Sequence, residues 1–361
     1  MKRYLLSLTV CSLILLIVYR FPAGAGHMRY SMEIIFRIAV SVIAIGWTWQ
    51  ANKYIAMFLC LALFSQFYPV FSSESARGFY NVFSGVVLYT IIVQQGDGWV
   101  NSLMDMMCVV ALANVVFIIL QTAGIYLLWN NAGDSITGLM ENPNSLSATL
   151  AICFPAFLRR KWKWFILLVV LGLFMAKSSG GLIAVAIGTG FFCAVTTERK
   201  KHLYPIGMGL IILTWLFIVF FDKYASLHIR LDAWTAALDI FRHHWLVGCG
   251  LERWHIEFMV LAGLRRFPEG FIRLHSTILQ GVVEMGIGFV IILAGYLINI
   301  GRRSWRNLTP LAIPLTAMII IIANGSVNFL IRIAPNAALV IVWLAIMELN
   351  LRRFKDERER G

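Results

Sequence analysis

Apolar and polar residues fall along this chain in long blocks. Apolar runs near 4–19, 33–49, 53–71, 78–95, 104–128, 144–158, 164–176, 179–195, 204–221, 277–299, 310–328 and 333–351 recur from end to end. Each approaches the ~20 residues that carry a helix across a bilayer, with 144–158 and 164–176 the shortest. The pattern predicts an all-α, polytopic membrane protein of about twelve transmembrane helices. Residues 4–19 have the length of a signal-peptide core, but no small-residue cleavage site follows Tyr19-Arg20-Phe21, so the stretch reads as a first span. No internal repeat or appended soluble domain is visible. The chain, 1–361, reads as a single membrane domain.

One block breaks the pattern. Asp222 to His275 is 54 of the 361 residues yet holds five of the seven histidines (His228, His243, His244, His255 and His275). It also carries seven basic side chains, among them Arg230, Arg265, Arg266 and Arg273, against six acidic ones. Lipid-facing helix does not tolerate such groups, so chemistry on a hydrophilic substrate is expected here. Within the block, Leu231, Trp234, Leu238, Phe241 and Trp245 recur at spacings of three and four. They predict a helix with one apolar stripe, while Asp232, Thr235, Asp239 and Arg242 make a polar one. Such a helix is expected along the membrane surface or against the ends of the spans. Gly248-Cys249-Gly250 ends it, a weaker helical stretch runs from Glu252 to Leu264, and Pro268 with Gly270 turns the chain back.

Composition agrees and adds a direction. A hydrophobic share of 60% and a charged share of 14% exclude an ordinary soluble domain. The net charge of +13 suggests nucleic acid until its placement is considered. With twelve spans and the N-terminus inside, eighteen basic residues lie on the cytoplasmic side, against five in the short outer loops (Arg20, Arg29, Arg77, Lys177 and Arg332). That positive-inside bias places 222–275 on the outer face and accounts for the basicity without nucleic acid. Five of the six cysteines fall within spans and Cys249 stands alone in the outer segment, so no disulfide framework or thiolate metal cage is expected.

The ordered set of polar landmarks resembles the signature region of the O-antigen ligase and O-antigen polymerase family of membrane glycosyltransferases. The landmarks are Arg230 and Trp234, the glycine turn at Gly248 and Gly250, His275 at the mouth of a span, Leu279-Gln280, and Glu284 with Gly286 and Gly288. Two earlier pieces agree: Gly138-Leu139-Met140-Glu141-Asn142-Pro143-Asn144, and the serine-rich turn Lys177-Ser178-Ser179-Gly180-Gly181. The chain departs from the family pattern at Trp245, where a proline is usual, at Ser276, where asparagine is usual, and in lacking an arginine inside the serine-rich turn.

The resemblance implies transfer of a glycan from an undecaprenyl pyrophosphate-linked donor to an acceptor sugar hydroxyl, without a metal or other cofactor. The acceptor is lipid A core in a ligase and another repeat unit in a polymerase. The expected location is the bacterial inner membrane, multi-pass, with the active site facing the periplasm and membrane lipids around it. Such chemistry needs cations for the leaving pyrophosphate and a base for the hydroxyl. Arginine suits the first because its fork of donors matches phosphate oxygens. On chemistry alone Arg230 reads as a snorkelling interface arginine; with the resemblance it becomes the first phosphate candidate, followed by Arg265, Arg266 and Arg273. His275 is the candidate base, with a pKa range suited to a hydroxyl proton near neutrality. His243-His244 read as helix-end residues favouring the C-terminal dipole rather than as metal ligands.

Three features inside the spans remain. Glu33 and Arg37, four apart, are expected to neutralise each other. Glu284 has two readings, a packing hydrogen bond or a substrate-binding group that orients the acceptor or the histidine. Asn324, Asn328 and Arg332 at i, i+4 and i+8 suggest a polar stripe walling a solvated groove, with Arg332 a further phosphate contact. The competing class is a transporter or flippase of lipid-linked sugars, which would show internal pseudo-repeats and mid-membrane charges.

Overall fold

The computed structural model describes residues 53–64, 73–125, 136–140, 142–159, 161–196, 224–261, 274–328, 330 and 334–360. Among them the protein is all-helical. In chain order the helices are α1 (Lys53–Phe64), α2 (Ser73–Gln95), α3 (Val100–Thr122), α4 (Pro143–Phe157), α5 (Ile166–Met175), α6 (Ser179–Thr196), α7 (Tyr224–His244), α8 (Trp254–Leu261), α9 (Thr277–Ser304), α10 (Ala312–Val327) and α11 (Ala334–Arg360). Asp97–Thr122, Ser179–Thr196 and Thr277–Ser304 are long and apolar enough to cross a membrane, and five further apolar helices are shorter. The expected spans at 4–19, 33–49 and 204–221, and the Glu33–Arg37 pair, lie outside the described residues.

The core forms where helices approach closely. α6 packs along α10, α11 along α2, and α3 along α4. A continuous apolar cluster runs through these elements, including Met107, Ile118, Leu146, Ile152, Ile320 and Trp343. The indole of Trp343 is fully buried and donates to the Ile152 carbonyl at 2.8 Å, so its one polar atom is satisfied inside the bundle. One end of the bundle is basic. There Arg159 and Trp162 donate to Asp105 at 2.7 Å each, and Glu348 on α11 lies 3.1 Å from both Arg303 and Arg352.

The insert folds as helix, turn, helix, but with a different face inward than the periodicity suggests. On α7 the buried residues are Ala233, Ala237 and Ile240, with Trp234 and Phe241 partly buried beside them. Leu231, Leu238 and Trp245, three members of the expected stripe, are 45%, 49% and 55% exposed. Small side chains let the helix approach its neighbours closely. A reading weighted by large apolar residues therefore rotates the face. Asn324 and Asn328 also depart from expectation. α10 ends at Val327, Asn328 is extended, and both amides are buried inside protein rather than on a groove wall. The stripe therefore does not continue as one helix to Arg332, which lies outside the described residues.

The feature that organises the insert is a break in α9. Gly286 has φ 67° and ψ −160°, outside helical geometry, so α9 consists of a first leg, Thr277–Met285, and a second leg beyond it. A break inside a membrane helix strands backbone groups that have no water to turn to. Here the turn after α7 meets them. Cys249 N donates to Val283 O at 2.9 Å, Gly250 N to Glu284 O at 3.0 Å, and Ile287 N to Trp245 O at 2.8 Å. Gly248 (φ 76°) faces the same spot: a Cβ on it would strike the Glu284 and Met285 backbone, and one on Gly286 would lie 2.8 Å from Gly248 N. Only glycine meets both demands, a left-handed backbone and contact of main chain on main chain.

Gly248→Ala and Gly286→Ala are each expected to cost on the order of 2 kcal/mol or more, the scale of backbone strain at such positions. Among the described residues, Gly190 on α6 has nothing within 4 Å of an added Cβ, and Gly190→Ala should be neutral or stabilise by about 0.5–1 kcal/mol. Thermal unfolding of the purified protein in detergent checks this. Equal midpoints for all three variants would show that the break is not held by this contact.

Candidate active site

The family-like segments, far apart in sequence, meet at the end of the bundle opposite the basic one. The first is 136–140, docked on the end of α3. Gln121 accepts from Thr137 N at 3.0 Å and Gly138 N at 2.9 Å and donates to Gly138 O at 3.1 Å. Asn114 accepts from Leu139 N at 3.1 Å. These two amides, seven residues apart on one face of an apolar helix, were not singled out by the sequence analysis. Their signal was a pair of polar side chains at helical spacing inside a span. Asn142 then caps α4, accepting from Ser145 N at 2.9 Å.

The serine-rich turn sits beside that cap. Ser178 donates to Asn144 Oδ1 at 2.8 Å, and Ser147 donates to Ser178 O at 3.3 Å. Gly180 and Gly181 leave room for Asn328 and Ser147, which an added Cβ would meet. Asn328 in turn joins the start of α9: its carbonyl accepts from Thr277 N at 3.0 Å and Thr277 Oγ1 at 2.9 Å, and its amide donates to Asn324 at 2.7 Å. Thr277 Oγ1 also accepts from Leu330 N at 2.7 Å. The contacts run unbroken from Asn142 to the mouth of α9.

Arg230 and Trp234, one turn apart on α7, close the circuit. Arg230 Nη1 donates to Val327 O at 2.7 Å, at the end of α10. Trp234 Nε1 donates to Leu274 O at 2.9 Å, the carbonyl next to His275. Arg230 is partly buried, and this desolvation lowers its pKa from the ordinary value; a guanidinium stays charged through such a shift. It uses one of five N–H donors on Val327. His275 is partly buried with φ +49°, a conformation side chains with a Cβ seldom adopt. Leu274 is fully buried on one side of it, and on the other Ser276 caps α9 by accepting from Leu279 N at 3.2 Å. Lys177, in the serine-rich turn, is also left-handed, with φ 49°. Such strain persists only where neighbours over-determine it, and it gathers at functional sites.

The departures from the family pattern now have physical meanings. Serine and asparagine serve equally as helix caps, so Ser276 keeps the role. At Trp245 the group in use is the carbonyl, which accepts from Ile287 and which a proline would also supply. Of the remaining residues, Glu284 is buried, with its carboxylate taking the Gln280 amide at 2.8 Å and the Trp254 backbone N–H. Arg265, Arg266, Arg273 and Arg332 lie outside the described residues. His243 and His244 close α7 with Arg242. His244 Nε2 is 3.6 Å from Glu257, which also pairs with Arg253. Burial pushes the Cys249 thiol well up, which makes it a packing residue rather than a nucleophile. Among the described residues, no group of three or more His, Cys, Asp or Glu side chains could hold a metal ion.

Fold and site together define a helical membrane protein whose polar residues converge at one end, around an arginine and a strained histidine turn. Residues 164–293 match the sequence profile of the O-antigen ligase family, which supports placing the chain in the O-antigen ligase/polymerase family. No curated protein matches the chain.

The Trp234–Leu274 bond yields a local expectation. Trp234→Phe keeps the ring and strands a buried carbonyl, at about 1–3 kcal/mol. Hydrogen exchange should quicken at residues 274–276 while α3 and α4 are unaffected. Unchanged exchange there would show that the turn is held by other contacts.

Proposed function

We propose that this protein is an integral membrane glycosyltransferase that moves a glycan from undecaprenyl pyrophosphate to an acceptor sugar hydroxyl during surface polysaccharide assembly. It works as one membrane domain of about twelve spans in the bacterial inner membrane, with 222–275 on the periplasmic side. The observation that carries this reading is the pairing of Arg230 and the His275 turn through a single helix, α7.

In the proposed step His275 accepts the proton of the acceptor hydroxyl as its oxygen attacks the anomeric carbon. The bond from that carbon to the pyrophosphate oxygen breaks, and the electron pair leaves with the pyrophosphate. Arg230 meets the growing negative charge with fixed donors in a poorly hydrated site, where such stabilisation counts for most. Arg265, Arg266, Arg273 and Arg332 are proposed to share the phosphate and glycan contacts. A ligase would deliver to lipid A core and a polymerase to another repeat unit. In a host lacking the gene, loss of all core-attached chains with accumulation of lipid-linked polymer marks the first, and single-repeat decoration the second.

His275→Ala should lower transfer by ~10²–10⁴-fold, as loss of a general base does. Arg230→Lys should also fail substantially, since a point charge replaces a bidentate fork. Both variants should accumulate normally in the membrane. Complementation of the deletion strain, read as surface polysaccharide on a gel, is the check. Near-normal chains from a well-expressed His275→Ala protein would end the base assignment.

The mechanism uses no metal. Purified protein assayed with lipid-linked donor should keep its activity in excess chelator, and a loss restored only by added divalent ion would make ligands of the histidines.

A further inference from the structure

Glu284 sits where three parts of the insert meet. Its backbone carbonyl is one of the groups stranded by the break at Gly286 and accepts from Gly250 N at 3.0 Å. Its carboxylate accepts from the Gln280 side chain one turn earlier, at 2.8 Å, and from the backbone N–H of Trp254, the first residue of α8. Trp254 is fully buried and shares a small apolar core with Leu274, Val283 and Cys249. Leu274 is the residue before His275, and its carbonyl is held from the other side by Trp234. A path thus runs from Glu284 to Trp254 and, through this small core, to the left-handed turn at His275.

We infer that Glu284 is a positioning residue: by holding Gln280 and the first turn of α8 it sets the place of the Leu274–Ser276 turn, and so of His275. The inference rests on His275 being the base of the proposed transfer. Glu284 itself touches no substrate. Glu284 is 3% exposed and both partners of its carboxylate lie within the protein, so its work is geometric. Displacing a reacting group by about 1 Å can cost about 10²-fold in rate, with binding unaffected.

Gln280 supplies a discriminating test, because its own carbonyl oxygen is buried without a partner among the described residues. In Glu284→Gln the new amide oxygen can accept from Trp254 N. The new amide group can donate to Gln280 once that side chain turns over its amide, so both links are rebuilt without charge. Glu284→Leu keeps the bulk and loses both links. The full-length protein, in detergent with lipid-linked donor and acceptor, is assayed for kcat and KM. Hydrogen exchange at 254–261 and 274–276 is followed in parallel.

Glu284→Gln is expected to stay within a few-fold of the parent, whereas Glu284→Leu loses about 10²-fold in kcat with donor KM within about twofold. Exchange should quicken at both segments in the leucine variant only. A Glu284→Gln protein as inactive as His275→Ala would overturn the inference, since the charge rather than the geometry would then matter. So would a leucine variant with parental kcat, or one whose defect lies in KM alone. If Glu284→Leu does not accumulate, the glutamine variant still decides. A fully active His275→Ala protein sinks the catalytic reading instead, which keeps the two failures apart.

Discussion

The structure depends on how a broken helix keeps its backbone satisfied away from water. Gly286 interrupts α9, and three main-chain hydrogen bonds from the turn after α7 take over the groups left behind. Hydrocarbon offers no alternative partners, and an unsatisfied peptide group there costs several kcal/mol. The exchange is therefore obligatory rather than merely favourable. It fastens the insert to the membrane bundle at one end, while Trp234 and Arg230 fasten it at the other. With α7 held at both ends, the arginine and the histidine turn have a fixed relation.

Around that frame the polar end of the bundle is assembled mostly from amide and hydroxyl groups. Asn114 and Gln121 hold 136–140, Asn142 caps α4, and Asn328 links the end of α10 to the start of α9. Neutral groups of this kind satisfy one another without the desolvation penalty of buried charge. Arg230 stands apart from them as a partly buried cation on a carbonyl.

Much of this was legible in the sequence. Block hydropathy located α2 to α6 and α9 to α11, because apolar runs of span length have few other uses. The landmarks Arg230, Trp234, Gly248, His275 and Gly286 were visible as an ordered set, but their physical roles were not. Nothing in a one-dimensional pattern shows that Gly248 and Gly286 touch, or that Trp234 bonds beside His275. The inward face of α7 was misread because large side chains dominate periodicity, whereas Ala233 and Ala237 make the contact. The stripe through Asn324, Asn328 and Arg332 failed for a related reason. Spacing presumes a continuing helix, and the chain leaves helical geometry at Asn328.

The fastening of turn to helix is made by backbone atoms, so it places almost no demand on side-chain identity beyond its two glycines. A lineage can therefore rewrite the surface of α7 and α8, and lengthen or shorten the stretch between them and α9, without loosening the frame that ties α7 to α9. The surface that the insert carries is free to diverge, because what anchors it is common to every polypeptide.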